Sequence, residues 1–328
     1  MAHELTLNRL SSKYEFAYAG SPAWHGLGAE LSEGASIDTW KQESGLNWEV
    51  MESAVRYSAF DGKTTHELTF PDKRVLFRSD TKDSLAIVSA DYHVVQPGEV
   101  LEFFRDITEK QGYSLSAAGS LFGGKRFWAT ANVGKSMNAV DDDTINGQLL
   151  LVTSVDGTLA TQAKFVSTRV VCNNTLTIAM GETGKSVRKT HASAWDASAF
   201  KLDLGLIDSG WEKFSASIKK LTDIKVSDSF ALQFFQSEFF DKEKSAEDQG
   251  IGNIKRVNTL MDLYRSGAGA EYSKGTAYGI LNAATELFTH GITKSRDTSH
   301  QFWNSHFTKD DALKTKVYQN LLETVGAA

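Results

Sequence analysis

Lys125-Arg-Phe-Trp-Ala-Thr-Ala-Asn-Val133 alternates without a break. Phe127, Ala129, Ala131 and Val133 fall on one side, and Arg126, Trp128, Thr130 and Asn132 on the other, the two-residue period of a β-strand. Farther along, Gln148 to Val155 runs into Asp156-Gly157, a dipeptide suited to a hairpin turn, and Leu159 to Val171 reads as the returning strand. Upstream, Tyr113 to Ala118 joins the first strand through Gly123-Gly124. Strands joined by such short turns pair antiparallel, so the middle of the chain predicts an antiparallel sheet.

On the N-terminal side, Asn47 to Tyr57, Arg74 to Arg78 and Leu85 to Ser89 read as further strands. A helix follows from Pro97. Val100, Leu101, Phe104 and Ile107 recur at helical spacing, and Gly112 closes it. From about residue 195 the pattern turns helical, with stripes at Trp211, Phe214, Ile218 and Leu221, at Ile254, Val257, Leu260, Met261 and Tyr264, and at Leu313, Val317, Leu321 and Leu322. Segments 241–250 and 266–275, polar or glycine-rich, read as mobile connections. The expected class is α+β: an antiparallel sheet with a long packed helix, then an all-α portion. The expected division is an α+β core domain over 1–190 and a helical domain over 191–328.

Composition bounds the function. The chain has 328 residues, with 35 Lys plus Arg against 41 Asp plus Glu, a net charge of −6. That balance argues against a blanket affinity for nucleic acid, though not against a local basic groove. No apolar run approaches the roughly 18 residues of a membrane span, and the first residues lack the cationic and apolar blocks of a secretory signal. A cytoplasmic protein is expected. One cysteine, Cys172, excludes an internal disulfide and a cysteine-built metal site.

Chemical motifs are few. Ala179 to Ser186 fits the loose phosphate-loop pattern ending in Gly-Lys185-Ser186, in which amides cradle phosphate and the lysine meets it. The residues after Ser186 carry no apolar stripe, so a helix end followed by an exposed basic loop fits better. The eight histidines do not converge on a metal geometry, and Cys172 reads as a small buried residue rather than a nucleophile. No catalytic residue, metal or cofactor is assigned. Basic residues stand beside aromatics at Lys125-Arg-Phe-Trp128, and further cations gather at Arg74 and Arg78 and at Lys185, Arg188 and Lys189. Such sets suit a single nucleic-acid strand, where cations meet phosphates and flat rings stack on bases. The competing reading has Trp128 buried beneath a helix.

Several phrases resemble one family. Ala23-Trp-His-Gly-Leu-Gly28, Gly45-Leu-Asn-Trp48, Arg78-Ser-Asp80, Tyr92-His-Val-Val-Gln96, Arg169-Val-Val-Cys-Asn-Asn-Thr-Leu176 and Gly275-Thr-Ala-Tyr-Gly-Ile-Leu-Asn-Ala283 occur in that order. Together they resemble a phage/plasmid-like protein family classed as a domain of unknown function. The resemblance implies a mobile-element origin and supplies no activity. The layout of strands, long helix, strands and helical tail is similar to phage single-strand-annealing recombinases of the Red-beta, RecT and Erf types, which bind single-stranded DNA along assemblies of identical subunits.

The leading expectation is therefore a non-enzymatic protein that binds or anneals single-stranded DNA, acting as a homo-oligomer away from membranes. Its groove would combine Lys125, Arg126, Trp128, Lys185, Arg188 and Lys189, with Arg74, Arg78 or Arg169 near the wall. The alternatives are a non-enzymatic interaction protein that blocks a host defence system, and a nucleotide-dependent enzyme. Two local expectations accompany these. Ala23 to Gly28 is a clasp that buries Trp24, with His25 as a ligand in the competing reading. Arg169 to Leu176 is a strand-to-helix junction capped by Asn173 or Asn174.

Overall fold

The computed structural model describes residues 5–20, 27–169, 171, 174–178, 186–191, 207–245, 247–291 and 301–326. In chain order, β1 (Leu7–Asn8) and β2 (Lys13–Tyr14) form a small hairpin, followed by β3 (Phe16–Ala19) and β4 (Ala29–Leu31). Helix α1 (Ile37–Glu43) leads into β5 (Val50–Phe60), β6 (Thr65–Arg78) and β7 (Ser84–Ser89), and α2 (Pro97–Gln111) comes next. Then follow β8 (Ser114–Leu121), β9 (Arg126–Asn138), β10 (Thr144–Ser154), β11 (Thr161–Arg169), β12 (Asn174–Ile178) and β13 (Ser186–Lys189). The helical portion holds α3 (Ile207–Asp223), α4 (Asp228–Phe239), α5 (Ile251–Ser266), α6 (Ala270–Ser273), α7 (Ala277–His290), α8 (Gln301–Phe307) and α9 (Lys309–Thr324). The α+β class read from the sequence is the class observed.

An eight-stranded sheet has the order β12-β11-β10-β9-β8-β3-β4. Every pair is antiparallel except β3 with β4. Strand β11 shares one edge between two partners: Phe165 to Arg169 pairs with β12, and Thr161 to Lys164 with β13. One sheet face carries the expected apolar set, Phe127, Ala129 and Ala131 with Leu149, Leu151 and Phe165. Leu101 and Phe104 of α2 belong to the same cluster, as do Trp211, Ile218, Leu281 and Val317 from the later helices. Each of the larger aliphatic and phenylalanine side chains contributes about 1.5–3 kcal/mol when fully buried.

Strands β5, β6 and β7 make a separate antiparallel sheet. Here the sequence reading fell short. Strand β6 begins at Thr65, so β5 and β6 form a long ribbon, exposed along most of its length. Pro71 and the polar stretch around it hid the strand, because a strand buried on neither face needs no apolar run.

Two more expectations are corrected. Residues 174–178 are strand β12 rather than the start of a capped helix. β-branched Thr175, Thr177 and Ile178 suit a pleated surface, and Leu176 and Ile178 join the core. The segment 266–275 is ordered around α6, with Ala270 and Ser273 buried. Of the N-terminal clasp, Trp24 and His25 lie outside the described residues. Gly28 has φ +96°, and a Cβ there would lie 2.6 Å from the Phe16 carbonyl oxygen, so only glycine lets the chain pass.

Candidate nucleic-acid interface

Three of the predicted site residues are buried. Arg78 is 1% exposed. Its guanidinium is gripped by the Glu15 carboxylate and donates to Asp80 Oδ1 at 2.9 Å and Oδ2 at 2.8 Å. It lies 4.1 Å from the centre of the Trp48 ring. Burial alone would raise the Asp80 carboxyl; the bonds from Arg78 and the Thr81 amide outweigh it and hold that carboxyl at about 2.

Arg169, 3% exposed, makes a bidentate pair with Asp143 at 2.7 Å from both Nε and Nη2. The same guanidinium donates to the carbonyls of Ala268 and Gly269, each at 2.9 Å. Gly269 has φ +72°, and a Cβ there would lie 2.6 Å from Nη2, so the close approach requires glycine. Every donor of this arginine that the clamp uses is spent inside the protein, so Arg169 joins sheet to helices and does not face a groove.

Trp128 is 4% exposed. Its face of the sheet carries a second apolar cluster with Phe16, Leu121, Leu150, Val152 and Val166. The Phe16 and Trp128 ring centres are 5.9 Å apart. The ring is buried within this cluster, against which Phe307 of α8 also packs, so it is not presented for stacking. The expected groove through Trp128, Arg78 and Arg169 is corrected accordingly.

The other cations behave differently. Lys125 is exposed at the start of β9, and its carbonyl accepts the Val155 amide. Arg126 is half-buried, lies over the Phe122 ring and donates to Thr158 Oγ1 at 3.0 Å. Arg188 is exposed on β13, and Lys189 follows it. Sheet register brings these together: Trp128 opposes Val152, Val152 opposes Gln162, and Gln162 opposes Arg188. Arg126 is two residues from that row. Three strand spacings separate β9 from β13, about 14 Å. Lys185 lies outside the described residues, and residues 186–189 of the expected basic loop are a strand. The edge of β11 explains why, since its amides and carbonyls from Thr161 to Lys164 need partners.

At this same end lies a recess of about 370 Å³, lined by Ser89, Asp91, Tyr92, Gly157, Thr190 and His191 among others. Tyr92 is half-buried and stacks on His191, with centres 4.7 Å apart and planes 19° from parallel. Its hydroxyl donates to the Ser154 carbonyl at 3.0 Å. Burial raises the phenol pKa, which keeps the ring neutral. Both ring nitrogens of His191 meet carbonyl oxygens, those of His93 at 3.0 Å and Leu159 at 3.1 Å. Arg74 donates to the Tyr92 carbonyl at 2.8 Å while pairing with Glu52. In the sequence His191 counted only as part of the basic loop and Tyr92 carried no chemical signal, because nothing there showed that the β10–β11 turn, the segment before α2 and the end of β13 would meet.

A third polar cluster was also missed. Lys164 on β11 donates to Asp311 Oδ2 at 2.9 Å, and Thr177 donates to Asp311 Oδ1 at 2.6 Å. Nearby, Lys314 donates to Thr175 Oγ1 at 3.0 Å. Burial lowers its pKa to about 8, against the pull of Asp311. Among the described residues no group of three or more histidine, cysteine or acidic side chains is placed to hold a metal ion. No helix among them is long and apolar enough to cross a membrane.

A family model described as Domain of unknown function (DUF932) matches residues 84–318, and the chain belongs to that family. Neither a curated protein nor a solved structure matches it.

Proposed function

We propose that this member of the DUF932 family binds or anneals single nucleic-acid strands, as an assembly of identical copies, in the recombination of a phage or plasmid. The reading assigns no bond-making chemistry to the protein. One observation carries it: cations distant in sequence, Lys125, Arg126 and Arg188, converge on one sheet end beside the recess of Tyr92 and His191. A spread of about 14 Å matches about four phosphates at 3.4 Å per residue of a stacked strand. Tyr92 supplies the flat ring that was expected of Trp128. The mobile-element setting is drawn from the sequence resemblance.

Fluorescence anisotropy with a dye-labelled single-stranded oligonucleotide, repeated over a salt series, tests the reading. Affinity falls steeply with salt, because each phosphate contact releases counterions. Tyr92→Ala weakens binding by about 1–3 kcal/mol, the contribution of one stacked base. Absence of binding by the wild type at low salt overturns the proposal and favours the protein-interaction alternative.

A further inference from the structure

The β5–β6–β7 sheet leaves one face exposed, and no strand pairs with the outer edge of β5 among the described residues. Residues directly opposite each other share a face. Register therefore sets Met51 and Val55 with Phe77 and Phe70, Tyr57 with Leu68, and Ile87 with Val75. Met51, Tyr57, Leu68, Phe70 and Ile87 are 41–63% exposed. Strand β5 is also an edge. At Val50 the edge is closed by the Gln96 amide, which accepts from the Val50 N–H at 2.8 Å and donates to its carbonyl at 3.2 Å. Val50 thus points its backbone groups outward, and by the two-residue period so do Glu52, Ala54 and Arg56; the register shift between Ala54 and Val55 puts its extra residues, 71–73, on β6 and none on β5, so the period of β5 runs through it. These invite a further strand.

We infer that the β5 edge pairs antiparallel with β5 of a second copy of this chain, about a two-fold axis at Ala54. Charge selects both partner and register. Apart from Arg78, which is buried in its own clamp, the ribbon is balanced, with Glu52, Asp61, Glu67 and Asp72 against Arg56, Lys63, Lys73 and Arg74, in a chain of net charge −6. A neutral ribbon has no preference for a polyanion, and it is where two acidic chains repel least. An axis at Glu52 or at Arg56 would oppose like charges. The axis at Ala54 sets Glu52 opposite Arg56 twice, once in each half, and sets exposed Met51 opposite exposed Tyr57 twice. This self-complementarity is what an isologous interface requires. The inference supplies the assembly contact of the proposed function but does not depend on strand binding. Mass measured without nucleic acid separates its failure from a failure of that reading.

The experiment is light scattering after size exclusion on the full chain, with melting curves as a check on folding. Glu52→Arg and Arg56→Glu each lower the mass of the assembly, because like charges then oppose across the axis. Mixing the two variants in equal amounts restores it, since each arginine regains a carboxylate. In a Cys172→Ser background, Ala54→Cys cross-links under mild oxidation, because Cα atoms of a bonded antiparallel pair lie about 5.5 Å apart, within disulfide reach. A wild type that stays monomeric at every concentration overturns the inference. So does an assembly that ignores both charge reversals, or one in which Ala54→Cys fails to cross-link.

Discussion

At Arg78 and Arg169 a guanidinium meets carboxylates where water does not reach, while at the sheet end Lys125 and Arg188 stand in solvent. All four were equal as basic residues in the sequence. What separates them is a partner brought in from far along the chain: Glu15 reaches Arg78 across 63 positions, and the Ala268 carbonyl reaches Arg169 across 99. A cation supplied with a buried carboxylate holds the fold together. One without stays in solvent, where the proposed function has it meet a phosphate.

Removing one member of a buried pair is the strongest way to break this contrast. Arg169→Ala leaves the Asp143 carboxyl buried without its partner, and should lower unfolding free energy by about 3–5 kcal/mol in chemical denaturation. A loss under about 1 kcal/mol would mean the clamp is not structural. Trp128→Ala should lose a similar amount, about 3–5 kcal/mol, by emptying the space beside Phe16. Its folded fraction should bind a strand as the wild type does.

Titration sharpens the contrast. Lys314 has its folded pKa near 8 against 10.5 unfolded. Below pH 8 both states carry the proton, and the penalty of the buried charge is present. Between pH 8 and 10.5 the folded state sheds it first, so stability rises, by about 3 kcal/mol at most. Lys314→Met should abolish that gain in melts recorded across this range. Asp80 gives the same sign of dependence at the acid end, stability rising with pH. Its carboxyl sits at about 2 when folded against 3.8 unfolded, so its contribution, about 2 kcal/mol, is present above pH 4 and lost as pH falls towards 2. Arg78→Ala should flatten that acid limb.

The smallest effect belongs to the exposed side. Arg188→Ala should change stability by no more than about 0.5 kcal/mol. It should reduce the slope of affinity against salt by about 0.7, one phosphate contact on a single strand. A larger stability change would place Arg188 with the clamps.

Much of the fold was legible because one period was enough. Phe127 to Val133 alternates, Val100 to Phe104 recurs at helical spacing, and both patterns record which face is buried. The ribbon from Thr65 was not legible, because its apolar residues Leu68 and Phe70 are spaced by polar ones and face solvent. Strand β12 was misread, since Asn174-Thr-Leu-Thr-Ile178 is too short for a period to show and asparagine also caps helices. For the site, the cations at Lys125, Arg126 and Arg188 could be found by charge. Tyr92 could not, because its role depends on register between strands, which no local pattern encodes.

The Lys164–Asp311 pair spans 147 positions and links the middle of the chain to its last described helix. On the ribosome this has a timing consequence. The Glu15–Arg78 clamp is available once Arg78 has emerged, but Lys164 waits for Asp311 while a further 147 residues are made. At about 5–20 residues per second that interval lasts on the order of ten seconds. During it, β11 and β12 lack the cover of α9, and chaperones have their longest opportunity to engage the nascent protein.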